Sequence, residues 1–324
     1  MDTVIPNTLI MRVFRLIKTT ALVILFCPSA IALEIHSVSK PNEASRIKGP
    51  DARLQLVVTA EDGTDATRQV QYKVDPAGLL EVSVSGHITP LANGVATVSA
   101  EMQGQSAARI ELIVEQIETS QPINFPNEIV PLFTKHGCNS GGCHGKSEGQ
   151  NGFRLSLLGF EPSEDYEFLV KEARGRRLFP AAPDHSLLLR KGSGELPHGG
   201  GSLFDKGSWD YMAIVRWMEQ GMPYGKPEDP EVESISVFPA SRLVKPGAEQ
   251  QLSVMASYSD GSLRDITGIA TYESNQKEMA EVDHSGLVTM ASGQTGDAAV
   301  MIRFQEKVSI FQATIPLGVP TGDF

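Results

Sequence analysis

Tyr258-Ser259-Asp260-Gly261-Ser262-Leu263-Arg264-Asp265-Ile266-Thr267, then Tyr272-Glu273-Ser274 and Ala280-Glu281-Val282-Asp283-His284-Ser285-Gly286-Leu287-Val288-Thr289, carry the reading of the fold. Asp260-Gly261 is a turn signal between short alternating runs such as Gln251-Leu252-Ser253-Val254-Met255. The same pattern occurs earlier in the chain. Glu81-Val82-Ser83-Val84-Ser85-Gly86-His87-Ile88-Thr89 aligns with Glu281–Thr289 at an offset of 200, and Ala60-Glu61-Asp62-Gly63-Thr64 aligns with Tyr258–Ser262 at 198. Strict alternation with glycine turns predicts a β-sandwich in each copy. Neither copy carries a polar cluster that suggests a ligand site, so both read as spacers.

The copies lie at either end of the chain, and charge separates them from what lies between. Residues 33–121 carry 7 basic and 12 acidic residues, residues 122–226 carry 12 of each, and residues 227–324 carry 6 and 14. The boundaries fall at Ser120-Gln121-Pro122 and in the proline-containing stretch Pro223–Pro230. A length of 324 residues gives two or three domains, and 41% apolar with 21% charged residues describes a folded chain. A formal net charge of −11 disfavours a nucleic-acid binder. No nucleophile–base constellation or pair of carboxylates stands out, so an enzyme is not expected.

Residues 1–32 read as an export signal. Arg12, Arg15 and Lys18 form a basic region, Ala21–Phe26 a short apolar run, and Ala30-Ile31-Ala32 a small-x-small cleavage pattern. The apolar run is shorter than a bilayer span requires. Cleavage would remove Cys27 and leave Cys138 and Cys143 as the cysteines of an exported chain, periplasmic or at the cell surface, with no stable membrane span.

The middle segment reads as mainly helical. Phe125, Ile129, Val130 and Phe133 recur at helical spacing, with Asn127 as the expected N-cap and Gly137 as the stop. Cys138-Asn139-Ser140-Gly141-Gly142-Cys143-His144-Gly145 follows. Two thiols and an imidazole directly after the second match what covalent haem attachment requires, although the usual spacing places two residues between the cysteines rather than four. A Cys138–Cys143 disulfide and a zinc site completed by His136, His144 and His198 are the rival readings. A second axial ligand is expected from Leu196-Pro197-His198-Gly199-Gly200-Gly201, a loop by composition, with His198 as the candidate. His185, Met212, Met218 and Met222 are weaker candidates. Ser208 is expected to cap a closing helix from Trp209 to Gln220, ended by Gly221.

Two resemblances add to this. The stretches at 258–267, 272–274 and 280–289 resemble bacterial Ig-like domains of the second group, and the first copy is a more divergent relative. Residues 125–225 resemble the cytochrome c-like domain of large exported proteins of planctomycetes and related bacteria, through "GCNSGGCHGK" at 137–146, "NGFRLSLLGF" at 151–160, "EARGRRLFPAAPDHSLLLRK" at 172–191 and "PHGGG" at 197–201. The second resemblance implies that Cys138 and Cys143 bind haem and that His144 ligates its iron; its pattern includes the four-residue spacing. In that family two larger domains typically follow, so the chain reads as a truncated paralogue or a fragment. The expected architecture is an all-α cytochrome c-like domain (122–226) between two all-β Ig-like sandwiches (33–121 and 227–324). The expected function is one-electron transfer by one haem c per chain, with an unidentified redox partner protein. The alternative is a non-redox Ig-like binding or scaffold protein with a Cys138–Cys143 disulfide.

Overall fold

The computed structural model describes Met1 and residues 32–37, 44–103, 105 and 107–317. All but the two ends of the expected export signal, Cys27 included, lies outside the described residues. Residues Ile31–Phe324 form one compact unit.

The alternating runs form the predicted strands, and the two copies repeat one strand order. In the first, a four-stranded sheet runs Ser45–Lys48, Ala108–Glu115, Gly94–Glu101, Gln71–Asp75, over a three-stranded sheet of Leu54–Gln55, His87–Pro90 and Leu80–Val82. In the second, the equivalent sheets run Ser241–Leu243, Lys307–Ile315, Gly296–Phe304, Thr271–Ser274, and Glu249–Gln251, Leu287–Met290, Ala280–Val282. In both, the first-named strand pairs parallel to the second and the other neighbours are antiparallel. A further antiparallel group joins Val232–Phe238, Ser253–Tyr258 and Leu263–Asp265. Period-two burial explains the order: Ala96, Val98 and Ala100 turn inward in one copy as Ala298, Val300 and Ile302 do in the other.

Each copy is pinned by the same buried set. The Thr67 hydroxyl accepts from Val58 N at 3.0 Å, and the Thr267 hydroxyl from Val254 N at 2.8 Å. Tyr72 and Tyr272 donate to the carbonyls of Thr67 and Thr267, both at 2.9 Å. Gly86 and Gly286 make the hairpin turn below these tyrosines at φ +78° and +76°, and a Cβ on either would stand 3.0 Å from the tyrosine oxygen. Glycine is required there by conformation and by space.

The middle segment corrects the expected fold class. The protein is mostly β, with 34% of residues in strands and 17% in helices, and no all-α cytochrome domain is present. The helices are α1 (Val130–Lys135), α2 (Pro162–Tyr166), α3 (Leu187–Gly192) and α4 (Trp209–Glu219); π- and 3-10-type turns fill much of the remainder. The turn over Phe125–Ile129 runs on into α1 and the one over Glu167–Lys171 continues α2, so that these two stretches and α4 are the longer helical pieces of the segment. The physical reason lies in the chain itself: prolines start α1 and α2, and left-handed residues interrupt the backbone at Asn151, Leu158, Ala173 and Arg174 and at several glycines. The entry to α1 also begins earlier than expected. Asn124, not Asn127, is the cap: its side chain accepts from Asn127 N at 2.9 Å and opens a wide turn over Phe125–Ile129. Asn127 instead donates to the Pro230 carbonyl and accepts from Gln305 in the second copy.

The closing helix is as the sequence predicts. Ser208 accepts from Tyr211 N at 3.3 Å, and Gly221 follows the helix at φ +84°. Trp217, Tyr211, Phe125, Ile129 and Leu169 are fully buried in one core with Leu189 and Met218. Burial of side chains of this size contributes roughly 1.5–3 kcal/mol each.

Candidate functional site

The site is built on the turn that follows α1. Gly137, at φ +69°, ends the helix, and Cys138 N donates back to the Phe133 carbonyl at 2.8 Å. The chain then coils tightly. His144 N donates to the Cys138 carbonyl and Gly145 N to the Ser140 carbonyl, each at 2.9 Å. A Cβ on Gly145 would stand 1.9 Å from the Asn139 carbonyl oxygen, so the coil tolerates no side chain there. Asn139 is buried and donates to the Thr134 hydroxyl, which fastens the coil to α1.

This coil carries Cys138, Cys143 and His144, with the two cysteines close to each other, and the glycine-rich loop brings His198 beside His144. The rings of His144 and His198 lie 6.2 Å apart between centres and within 9° of parallel. His144 Nδ1 lies 2.9 Å from the Phe153 carbonyl, which assigns the proton to Nδ1 and leaves Nε2 as the free lone pair. Nδ1 of His198 is buried and, among the described residues, has no hydrogen-bond partner. Burial holds the His144 pKa below its usual value, against the carbonyl bond that raises it, so the ring is neutral near pH 7.

The two sulfurs differ from reactive cysteines. Both are free thiols. Burial, and then the neighbouring Cys143, pushes the Cys138 thiol up to about 12, which keeps it protonated and poorly nucleophilic. Arg177 braces the far side of the cluster. Its guanidinium donates to the carbonyls of Phe168, Glu172 and Gly152 and lies 4.5 Å from the centre of the Phe153 ring, which in turn packs against His144.

The other candidates are engaged elsewhere. His136 lies 2.7 Å from Asp210, which also accepts from Lys135 at 2.7 Å, so it is not directed at the cysteines. His185 ends a short 3-10 turn, Met218 accepts from the Ser186 hydroxyl in the core, and Met222 packs behind α4. Among the described residues, no group of three or more His, Cys, Asp or Glu side chains is placed to hold a metal ion, so the zinc reading gains no support. Two further features escaped the sequence reading. Arg177 sits in a run of three arginines with nothing to mark which one is buried. The Lys135–His136–Asp210 network joins residues more than 70 positions apart.

Comparison with known proteins identifies the class of the second repeat. Residues 231–301 match the bacterial Ig-like domain, group 2. Among curated proteins, 54 residues are 43% identical to Ice-binding protein 1 of Shewanella frigidimarina, a match that covers 17% of this chain and 6% of that one. Solved structures with similarity include the S-layer protein rSbsC(31-844), at 12% identity and a TM-score of 0.24 over 91% of this chain and 29% of that one. Sidekick-1 immunoglobulin domains 1–5 align at 8% identity and a TM-score of 0.27 over 87% of this chain and 41% of theirs. The chain thus spans a small part of the curated relative and less than a third of the S-layer chain. The expectation of a cytochrome is overturned as a description of the protein. The family model that matches, over residues 231–301, is Ig-like, the described architecture is mostly β, and neither the comparisons nor the described residues support haem, iron or electron transfer as the defining chemistry. Among the described residues no helix is long and apolar enough to cross a membrane.

Proposed function

We propose that the chain is an exported surface or scaffold protein of the Ig-like class, whose two β-sandwich repeats brace the irregular segment between them. The observation that carries this reading is the repeat pair. The second repeat contains the match to the bacterial Ig-like family, and the first shares its strand order and its buried Thr, Tyr and Gly set. Both grip the middle segment: Asp51 pairs with Arg216 at 2.9 Å from one side, and Gln305 donates to Asn127 at 2.9 Å from the other. Fractionation of cells that express the full chain tests the reading. Protein in the periplasmic or surface fraction is expected; retention in the cytoplasm contradicts it.

A second reading concerns the cysteine–histidine cluster alone, and the ring geometry of His144 and His198 favours it. In this proposal Cys138 and Cys143 would tether one haem c per chain and His144 and His198 would hold its iron, with no electron-transfer role ascribed. The full chain is produced in a host with cytochrome maturation machinery and its haem is measured after denaturation. Haem retained by the wild type and lost by the Cys138→Ser/Cys143→Ser variant supports the proposal. Colourless protein with both thiols free overturns it and leaves the Ig-like reading intact.

A further inference from the structure

We propose that the two Ig-like repeats recognise each other through a reciprocal carboxylate latch, and that the partner this face fits is another repeat with the same Asp-x-Thr turn. The turns are Asp65-Ala66-Thr67 and Asp265-Ile266-Thr267. In each, Oδ1 stays at home: it accepts from the N–H of Thr67 at 2.6 Å or of Thr267 at 2.8 Å. In each, Oδ2 crosses to the other repeat. Asp265 accepts from Gln55 N at 2.7 Å, and Asp65 accepts from Gln251 N and from Gln250 Nε2.

The receiving sites are equivalent as well. Gln55 and Gln251 each send Nε2 to the carbonyl of the next residue, Leu56 or Leu252, and to the carbonyl of Ser85 or Ser285. Both glutamines lie on the edge strand of their three-stranded sheet. An edge N–H without a partner invites pairing with a foreign strand. Here each is satisfied by a carboxylate from the like repeat, in the same way in both directions. That is the pattern of an isologous contact, which closes on itself and does not propagate into a filament. Met255 and Leu263 of the second repeat pack against the apolar core of the first between the latches. Arg242 donates to the Thr59 hydroxyl at 3.0 Å, and Lys245 lies 3.4 Å from Asp62, at the rim.

Burial raises both carboxyls above their usual range, Asp265 to about 6. The N–H donors on each act in the opposite direction and favour the charged form. A carboxylate is withdrawn from water at each end of the contact, which a spacer without a specific partner does not require.

Hydrogen exchange of the full chain, read at single amides, tests the proposal, because the latch predicts an effect in the opposite repeat. In Asp65→Ala the Gln251 amide should exchange about tenfold to a hundredfold faster, as expected when a hydrogen bond to a charged group is lost. In Asp265→Ala the Gln55 amide should do so. Loss of protection at both glutamines in either variant also supports the latch, since a closed contact opens as one. Faster exchange confined to Thr67 or Thr267, with the opposite glutamine unchanged, overturns it. Where an alanine variant does not fold, Asp65→Ser and Asp265→Ser carry the same readout, because the shorter hydroxyl can cap the local turn but has no second oxygen to cross to the other repeat.

Discussion

The first and second repeats share one skeleton and differ in almost everything painted on it. The family match falls in the second, over residues 231–301, where Tyr258–Thr267 preserves a recognisable turn-and-strand signature. The first reaches the same strand order with Thr64-Asp65-Ala66-Thr67 in place of Arg264-Asp265-Ile266-Thr267. What they keep in common is a small set of buried and half-buried residues: Asp, Thr, Tyr and Gly at 65, 67, 72 and 86 and again at 265, 267, 272 and 286. The comparison teaches that this sandwich is specified by a few polar anchors and a pattern of alternation, while surface identity drifts.

The turn glycines give the largest expected effect, and they separate the two copies. A Cβ at Gly86 would meet the Leu56 carbonyl oxygen at 2.8 Å as well as Thr67 and Tyr72, whereas at Gly286 its three nearest neighbours all belong to the Tyr272 side chain. Gly86→Ala is expected to cost about 3–4 kcal/mol, from left-handed strain plus a clash with backbone that cannot move aside. Gly286→Ala should cost less, because a side chain can yield. Thermal or urea unfolding of the full chain measures both; equal losses would contradict this difference in packing between the two turns.

The buried carboxylates come next. The folded-state pKa of Asp265, about 6, lies above the 3.8 of an ordinary solvent-exposed aspartate. The native state therefore binds the proton more tightly than the unfolded chain does. Its contribution to stability is greatest below the unfolded value and falls as pH rises through the window from 3.8 to about 6. Asp265→Asn removes this titration. The stability difference between wild type and variant should shift by up to about 3 kcal/mol in favour of the variant between pH 4 and pH 7. Asp65, raised in the same direction, should show the same sign. A difference that does not vary with pH would contradict a buried, titrating carboxyl.

Smaller effects refine the picture. Tyr72→Phe and Tyr272→Phe each remove a bond to a threonine carbonyl, and each should lower stability by about 1 kcal/mol in chemical denaturation. A loss in one repeat alone would break the equivalence. Lys73→Ala removes an exposed pair with Glu101 that has no counterpart at the corresponding Glu273, and unfolding should change by no more than ~0.5 kcal/mol.

The same anchors explain what the sequence could and could not reveal. Alternation and the offset of 200 between Glu81 and Glu281 exposed both repeats, because period-two patterning is local. Ser208 and Gly221 exposed α4 for the same reason. Asn124 was missed because Asn127 offers an equally plausible cap, and what takes Asn127 out of contention is Pro230 and Gln305, far along the chain. The latch was invisible because Asp65 and Asp265 read as turn formers, and their second oxygens find partners 186 and 210 residues away. The cluster of Cys138, Cys143, His144 and His198 was legible as a set of residue types. The error lay in extending that set to an all-α domain, when glycine, proline and left-handed residues break the segment into short helical pieces joined by irregular turns.

Two amides test the shared architecture most directly. Val58 N and Val254 N are buried at equivalent positions and donate to the Thr67 and Thr267 hydroxyls. Native-state hydrogen exchange should place each among the slowest amides of its own repeat, since neither can exchange without opening that repeat's core. Slow exchange at Val254 with rapid exchange at Val58 would contradict the claim that both ends of the chain are built on the same Ig-like skeleton.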